Sequence, residues 1–596
     1  MKNKFNMKQW VSCLIITAAC GLVSCDSMLK TEFDQSLEVT PPKDTLYTTL
    51  GIFSKLQRVV DAYVLTGELR GDLLNCTSEA DKTLQAINNF NWGTQQEIDA
   101  NPYLGASVYY DVVNSCNFFL TYADTLKNKQ MFLKEWASVT AIRAWCYMQL
   151  ILNFGQATYY TQPILSTQDQ DAILKDPSAS ITDLESLLAK EEGNLRYAAR
   201  LQNNSGYPMD DHYFIKAQLL LADLNLWTGN YVPAMELYKD YIDTHPSYAS
   251  LTSRYLRWDN SEFQSSSASS NNGDVQTFVI VSNLEEVIAK LPMMSYPSSL
   301  QSGCTWMLTP SEGAIDMFAR QSYNYKDADE NTGLPKYIYT TGDMRGINTA
   351  SNGVTLFSVG EVTYSYAKYK STEAIDSIPI ILKYGIPNLT GAYLYRLPTI
   401  FMHYAEALNH AGYPSAAFSI LKYGILNPSQ IDSTYTVMIG STPTPTSMIS
   451  AWEIYHDVEV QIDDTTTEIQ YQKNIPYFFT FSETLYSSDD TRIGVHGRGC
   501  GASEADTTYI IPEELRSIEN KDAAIRYVDE MILQELGLET AFEGNRFQDL
   551  MRFANYYGED FLADRVARKQ NYPNRDEALY QKLLNRNNWY LPLNRK

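Results

Sequence analysis

Two stretches of this chain carry one helix–turn–helix pattern, although 183 residues separate them, counting from Gly229 to Gly412. The first reads YFIKAQLLLADLNLWTGNYVPAMELYKDYIDTHP, with its turn at Gly229-Asn230. The second reads HYAEALNHAGYPSAAFSILKYGILNP, with its turn at Gly412. In each half, apolar residues recur at steps of three and four, the period of a helix that buries one stripe against a neighbour. A separation this long is no simple tandem array, so the fold has to bring the helix pairs together.

In the first pair Leu221, Ala222, Ala234, Tyr238 and Pro246 fall at the spacings of a tetratricopeptide unit, with Gln218 and Asn225 in place of the usual aromatics. In the second, Ala405, Gly412, Ala417 and Leu421 take the corresponding places. A further segment, WASVTAIRAWCYMQLILNFG, repeats the pattern through Val139, Ile142, Cys146, Leu150 and Phe154 and is stopped by Gly155. This predicts an amphipathic core helix, with Ala137, Ala141 and Ala144 allowing close approach. Arg143, Gln149 and Asn153 interrupt it too often for a membrane span. From about 250 to 394 helical signals thin out, and QTFVIVSN and KYIYTT read as short strands. A mostly α-helical scaffold carrying an irregular, loop-rich lobe is the economical picture, and loops on rigid elements commonly carry binding.

The N-terminus is of another kind. Lys2, Lys4 and Lys8 precede a mostly apolar stretch, Val11 to Val23, which is shorter than the roughly 20 residues a membrane-spanning helix takes. It reads as an export signal. The segment Leu22-Val23-Ser24-Cys25 resembles the lipobox of bacterial lipoproteins, in which the cysteine is lipidated and becomes the new N-terminus. Cys20 is a poorer candidate because Thr17 stands where that motif has a large aliphatic residue. Residues 1–24 are thus expected to be a signal peptide, 25–45 a lipid-anchored tether with Pro41-Pro42, and 46–596 one domain. One acyl chain binds membranes marginally and two or more anchor stably. Loss of three lysines with the signal moves the formal charge from -23 to -26, which argues against nucleic acid and anionic lipid as partners. Cys76, Cys116, Cys146, Cys304 and Cys500 remain, odd in number and without close spacing, so neither a disulfide framework nor a zinc knuckle is implied.

Taken in order, the lipobox, ELRGDLLNCTSEADKTLQAINNFNW, the helix ending in FGQATYYTQPI, YLYRLPTIFMHYAEALNHAG and AFEGNRFQDLMRFANYYG resemble the SusD/RagB family of outer-membrane nutrient-binding lipoproteins of Bacteroidetes. The resemblance covers essentially the whole mature chain. It implies a SusD-like helical fold with four tetratricopeptide-like helix pairs and an irregular lobe. It also implies a partner, a SusC-like TonB-dependent transporter over which the lipoprotein acts as a lid. The cargo it implies is oligosaccharide, or peptide in some members, with no cofactor and no catalysis. Pro398 departs from the family pattern by interrupting the start of its helix, and Asn545 and Gln548 depart from it in the late motif.

In the late motif Glu543, Arg546, Asp549 and Arg552 recur every three residues. Paired carboxylates do acid–base work in glycosidases, but arginines on adjacent turns lower carboxylate pKa values and suit ion pairing. His403 and His410 share a helical face without a third ligand, and the run Asp327 to Asn331 lacks the glutamate of a calcium loop because Ile338 stands there, so no metal site is expected. No nucleophile elbow, phosphate loop or zincin signature occurs. A surface hydrolase or a structural adhesin is therefore a poorer reading than a binding protein. For ligand capture the sequence offers aromatic platforms beside polar groups. These are Trp92 with Asp72 before it and Asn101 after it, and Trp306 in GCTWMLTPSE.

Overall fold

The structure, a computed structural model, describes residues 45–122, 129–202, 211–245, 251–252, 287–293, 307–328, 332–333, 335–343, 345, 348–349, 355–356, 364–365, 377–378, 391–426, 431, 434–439, 442–461, 467–481, 492–499 and 508–592. The signal, Cys25, the tether, Trp306 and most of the expected irregular lobe lie outside the described residues.

Helices dominate. They run α1 (Thr45–Leu56), α2 (Val60–Leu69), α3 (Lys82–Asn88), α4 (Gln95–Ala100), α5 (Ser107–Tyr122), α6 (Lys129–Phe154), α7 (Thr167–Leu174), α8 (Leu184–Gln202), α9 (Ala217–Trp227) and α10 (Tyr231–Thr244). After them come α11 (Glu312–Ala319), α12 (Leu397–His410), α13 (Pro414–Tyr423), α14 (Lys521–Thr540), α15 (Arg546–Tyr557), α16 (Glu559–Arg568) and α17 (Glu577–Leu583). Strands are short and pair two by two, all antiparallel. Strand β1 (Leu74–Cys76) pairs with β3 (Leu308–Pro310), and β2 (Val287–Pro292) pairs with β6 (Gly391–Arg396) through a bulge. Strand β4 (Ser322–Ala328) pairs with β5 (Pro335–Thr341), which is the KYIYTT stretch.

The helix pairs read from the sequence are present and they meet. α9 packs on α10, α12 on α13, and α10 lies directly against α12, closing the long gap between the two pairs. Leu221, Ala222, Ala234, Tyr238, Ala405, Ala417 and Leu421 are all buried at these contacts. The stack extends from α5 through α6, α8 and α9 to α10, and from α12 to α14 and α15. α15 then packs back on α2, so the two ends of the chain are joined.

Two expectations change. Pro398 does not interrupt α12 but stands in its first turn, where its missing N–H is one the helix leaves unpaired anyway. And α6 is not amphipathic: enclosed by α5, α8 and α9, every residue from Ala137 to Phe154 is buried. Its polar residues are therefore internal partners. Arg143 pairs with Glu191 at 3.0 Å, Gln149 accepts from the Gln548 amide at 2.7 Å, and Asn153 accepts from Arg70. Among the described residues no helix is long and apolar enough to cross a membrane.

The closure of α15 on α2 depends on an absent side chain. A Cβ at Gly67 of α2 would stand 1.8 Å from the Gly544 carbonyl oxygen, and Gly544 itself holds φ +103°, a left-handed conformation that glycine adopts at no steric cost. Alanine in place of glycine would favour helix α2 by up to about 1 kcal/mol. Overpacking costs about 1–3 kcal/mol and occasionally more, so the clash wins. Gly67→Ala is expected to lower the unfolding free energy in urea titration, and an increase would show that the α2–α15 approach is looser than this.

Candidate functional site

The loop AFEGNRF organises the site. Glu68, buried at the end of α2, accepts hydrogen bonds from the backbone N–H groups of Phe542 (3.1 Å), Gly544 (2.7 Å) and Arg546 (3.3 Å), and so holds the loop that opens α15. Burial pushes the Glu68 carboxyl up to about 7 against those three donors. Four residues on, Asp72 receives the Arg546 guanidinium in a two-pronged pair at 2.6 and 2.9 Å, and the same guanidinium donates to Leu533 O at 2.9 Å. Burial alone would raise the Asp72 carboxyl, but Arg546 outweighs it and holds it below the usual range. The Ser311 hydroxyl donates to the Asp72 carbonyl oxygen at 2.6 Å and accepts from Ala314 N, fixing the start of α11 to the same corner.

Above this corner opens a cavity of about 770 Å³. Its walls are α11, one face of α14 and the end of α16. On α14 the lining positions Ala523, Arg526, Tyr527, Glu530, Met531 and Gln534 fall at steps of three and four, the near side of a single helix. Gln534 donates to Gln321 at 2.8 Å and ties α14 to the chain two residues past the end of α11. Tyr572 closes another side, its hydroxyl on Asp316 at 2.8 Å, and Tyr509 lies stacked on His496 with ring centres 3.6 Å apart. Lys569, at the floor, is buried and donates to the Leu69 carbonyl oxygen. Burial lowers its pKa to about 7, opposed by Cys76 and Asp72.

Behind the lining lies a buried ion network. Arg345 reaches Asp343 (2.6 Å), Glu535 (3.0 Å) and Glu539 (3.2 Å). Arg396 reaches Glu539 (2.9 Å) and Glu543 (2.7 Å), Arg498 reaches Glu539 (3.1 Å), and His496 reaches Glu535 (2.7 Å). Burial would raise Glu535 and Glu539, but the surrounding cations hold both below the ordinary carboxylate range. A second buried set joins Arg552 to Glu406 (2.8 Å) and Asp549 (2.9 Å).

The acids and arginines of the late motif thus form ion pairs, as their alternation suggested, but mostly with distant partners. Glu543 pairs with Arg396 and Arg546 with Asp72. The expectation that neighbouring arginines lower each carboxyl fails at Asp549, whose pKa burial raises in spite of Arg552. Asn545 and Gln548 are accommodated, the first accepting from Tyr63 Oη at 2.5 Å and the second bonded to Gln149. His403 pairs with Asp223 at 2.9 Å and His410 with Asp529 at 2.8 Å. Among the described residues no group of His, Cys, Asp and Glu has a metal-holding arrangement.

Of the ligand candidates, Asp72 lines the cavity. Trp92 is half-buried and packs edge-on against Phe90, away from the lining, with ring centres 6.1 Å apart. Asn101 is buried, its amide donating to Thr83 O (3.1 Å) and its carbonyl accepting from Tyr103 N (3.1 Å). Trp306 and Cys25 lie outside the described residues. The lining groups Arg526, Tyr527 and Arg565 were not singled out from the sequence. A signal was present, since Arg565, Arg568 and Lys569 form a basic cluster in an acidic chain.

Residues 508–596, from the edge of the cavity through α14 to α17, match the model of the SusD family. This C-terminal segment is SusD-like. No curated protein matches the chain. Among solved structures it is similar to a SusD superfamily protein of Bacteroides vulgatus, at TM-score 0.49 and 14% identity over 90% of this chain and 92% of that one. A SusD superfamily protein of Bacteroides thetaiotaomicron gives TM-score 0.48 and 16% identity over 93% and 95%. A laminarin-binding SusD-like protein gives 0.44 and 14% over 92% and 95%.

Glu539 is the member of the ion network that touches three arginines. Glu539→Gln is expected to cost about 3–5 kcal/mol at pH 7, the range for removing one member of a buried pair. A carboxylate whose folded pKa is depressed contributes stability above its unfolded pKa, about 4.3, and loses it as pH falls toward the folded value. The gap between wild type and Glu539→Gln in urea unfolding should therefore narrow on acidification below about pH 4. A gap unchanged between neutral and acid pH would mean that the charge of Glu539 is not what the fold uses.

Proposed function

We propose that this SusD/RagB protein is a cell-surface nutrient-binding lipoprotein, anchored through Cys25, that captures oligosaccharide without chemically altering it and hands it to a SusC-like TonB-dependent outer-membrane transporter. The single observation that carries the capture reading is the cavity between α11, α14 and α16. Its volume of about 770 Å³ lies within the roughly 300–1,000 Å³ of sites that enclose small ligands. Its lining mixes tyrosine rings with carboxamide, carboxylate and guanidinium groups. Rings cover the apolar faces of a sugar, and the polar groups meet its hydroxyls.

Export, anchoring and hand-over rest on the N-terminal sequence and on family membership. The basic and apolar leader ending in Leu22-Val23-Ser24-Cys25 supports lipidation. The proposed contacts are Tyr527, Tyr572 and Asp72 in the cavity, with Trp306 from the segment that leads into β3. Trp92 belongs to this reading only as an outlying contact, and buried Asn101 as the residue that holds the turn at Tyr103.

Radiolabelled palmitate is expected to enter the wild type and not Cys25→Ala, which should be released in soluble form. Equal labelling of both would remove Cys25 as the anchor. Mild detergent extraction should recover a large β-barrel with the wild type. On titration calorimetry against an oligosaccharide panel, Tyr527→Ala should weaken binding by about tenfold, roughly 1.4 kcal/mol, with its unfolding temperature retained. Turnover of any glycan by the purified chain would contradict a noncatalytic role.

A further inference from the structure

The cavity departs from the rest of the molecule in charge. Over the whole chain 70 acidic residues stand against 47 basic ones, yet the cavity is lined by six basic side chains and three acidic ones. All three acids are engaged: Asp72 by Arg546 at 2.6 Å, Glu530 by Arg565 at 2.6 Å, and Asp316 by Arg320 at 3.6 Å. Arg568 is held by Asp564 at 2.8 Å. Arg526 and Lys569 remain, with no carboxylate at ion-pair distance among the described residues. Lys569 is buried under Phe90. Arg526 is exposed on α14, with its guanidinium carbon 5.1 Å from the centre of the Tyr557 ring.

Ordinary helix electrostatics accounts for three of these six cations. Arg565 and Arg568 stand in the last turn of α16 and Arg320 caps the end of α11, where a helix favours positive charge. Arg526 has no such explanation. It stands in the second turn of α14, toward the positive end of its helix, and no acid among the described residues lies at ion-pair distance from it. The Tyr557 ring attracts its guanidinium, whose N–H groups make no hydrogen bond to the protein among the described residues and are left to a ligand.

We infer that the cargo of this cavity, on the capture reading above, is an anionic oligosaccharide whose carboxylate or sulfate groups are taken by Arg526, with Arg320, Arg565 and Arg568 around it. The guanidinium fork matches the paired oxygens of either anion. Tyr527 and Tyr572 flank it with ring surface for the sugar. Because the rest of the protein is strongly negative, the cavity is the favoured landing place for an anion, and extended polyanions such as nucleic acid are repelled by the surface around it.

The test is titration calorimetry on the mature chain released by Cys25→Ala, with three probes: an oligogalacturonate, a sulfated galactan oligosaccharide that carries no carboxylate, and a neutral xylo-oligosaccharide. One anionic probe is expected to bind and the neutral one not, and the choice between the first two tells carboxylate from sulfate. Raising salt from about 50 to 500 mM, which shortens the screening length to a few Å, should weaken binding about tenfold or more. Arg526→Ala should do the same with an unchanged unfolding temperature, and Arg526→Lys should recover part of the loss. Neutral oligosaccharide bound as tightly as acidic, weakened by Tyr527→Ala and indifferent to Arg526→Ala, overturns the anionic inference and leaves the capture reading standing. No binding of any of the three probes overturns both.

Discussion

The fold is organised around carboxylates that have left water. Glu539 sits fully buried among Arg345, Arg396 and Arg498, three residues that come from a loop, a strand end and a single helical turn far apart in the chain. Removing such charges from water is expensive, and the attraction repays it only when every donor and acceptor is matched. Here the matching is close: Arg396 meets two carboxylates and a carbonyl oxygen, and Arg345 meets three carboxylates and the Val495 carbonyl oxygen. The arrangement demands that α14, β6 and the segments at 343–345 and 496–498 arrive together. The late helices therefore cannot be docked without the middle of the chain.

The same logic explains what the sequence disclosed. The turns at Gly229-Asn230 and Gly412 and the stop at Gly155 were legible because period and punctuation are local. The amphipathic reading of α6 failed because period cannot tell a solvent-facing polar residue from one that meets a buried partner. Arg143, Gln149 and Asn153 look like an outer face until Glu191, Gln548 and Arg70 are placed against them. Pro398 looked like a break because its effect depends on where the helix starts, and Arg396 at the strand end sets that start.

Among the described residues the cavity was legible in the sequence only at Asp72. Trp92 and Asn101 stand out in the sequence because aromatic and polar groups occur together there, and that pairing also describes a cap and an edge-on ring contact. The lining of the cavity comes from α11, α14 and α16, more than 200 residues apart at the extremes, and no local pattern announces such a convergence. A basic cluster at 565–569 in a chain of net charge -23 was the one trace of it.

α14 carries these two roles on opposite sides. Arg526 and Glu535 are nine residues apart, two and a half turns, so the side that lines the cavity is turned away from the side sunk in the ion network. The two sides are linked through His496, which lines the cavity and pairs with Glu535. Changes at Arg526 and Tyr527 thus leave the buried charges around Glu535 and Glu539 in place, and the lining of the cavity can vary by single substitutions without passing through an unfolded ancestor.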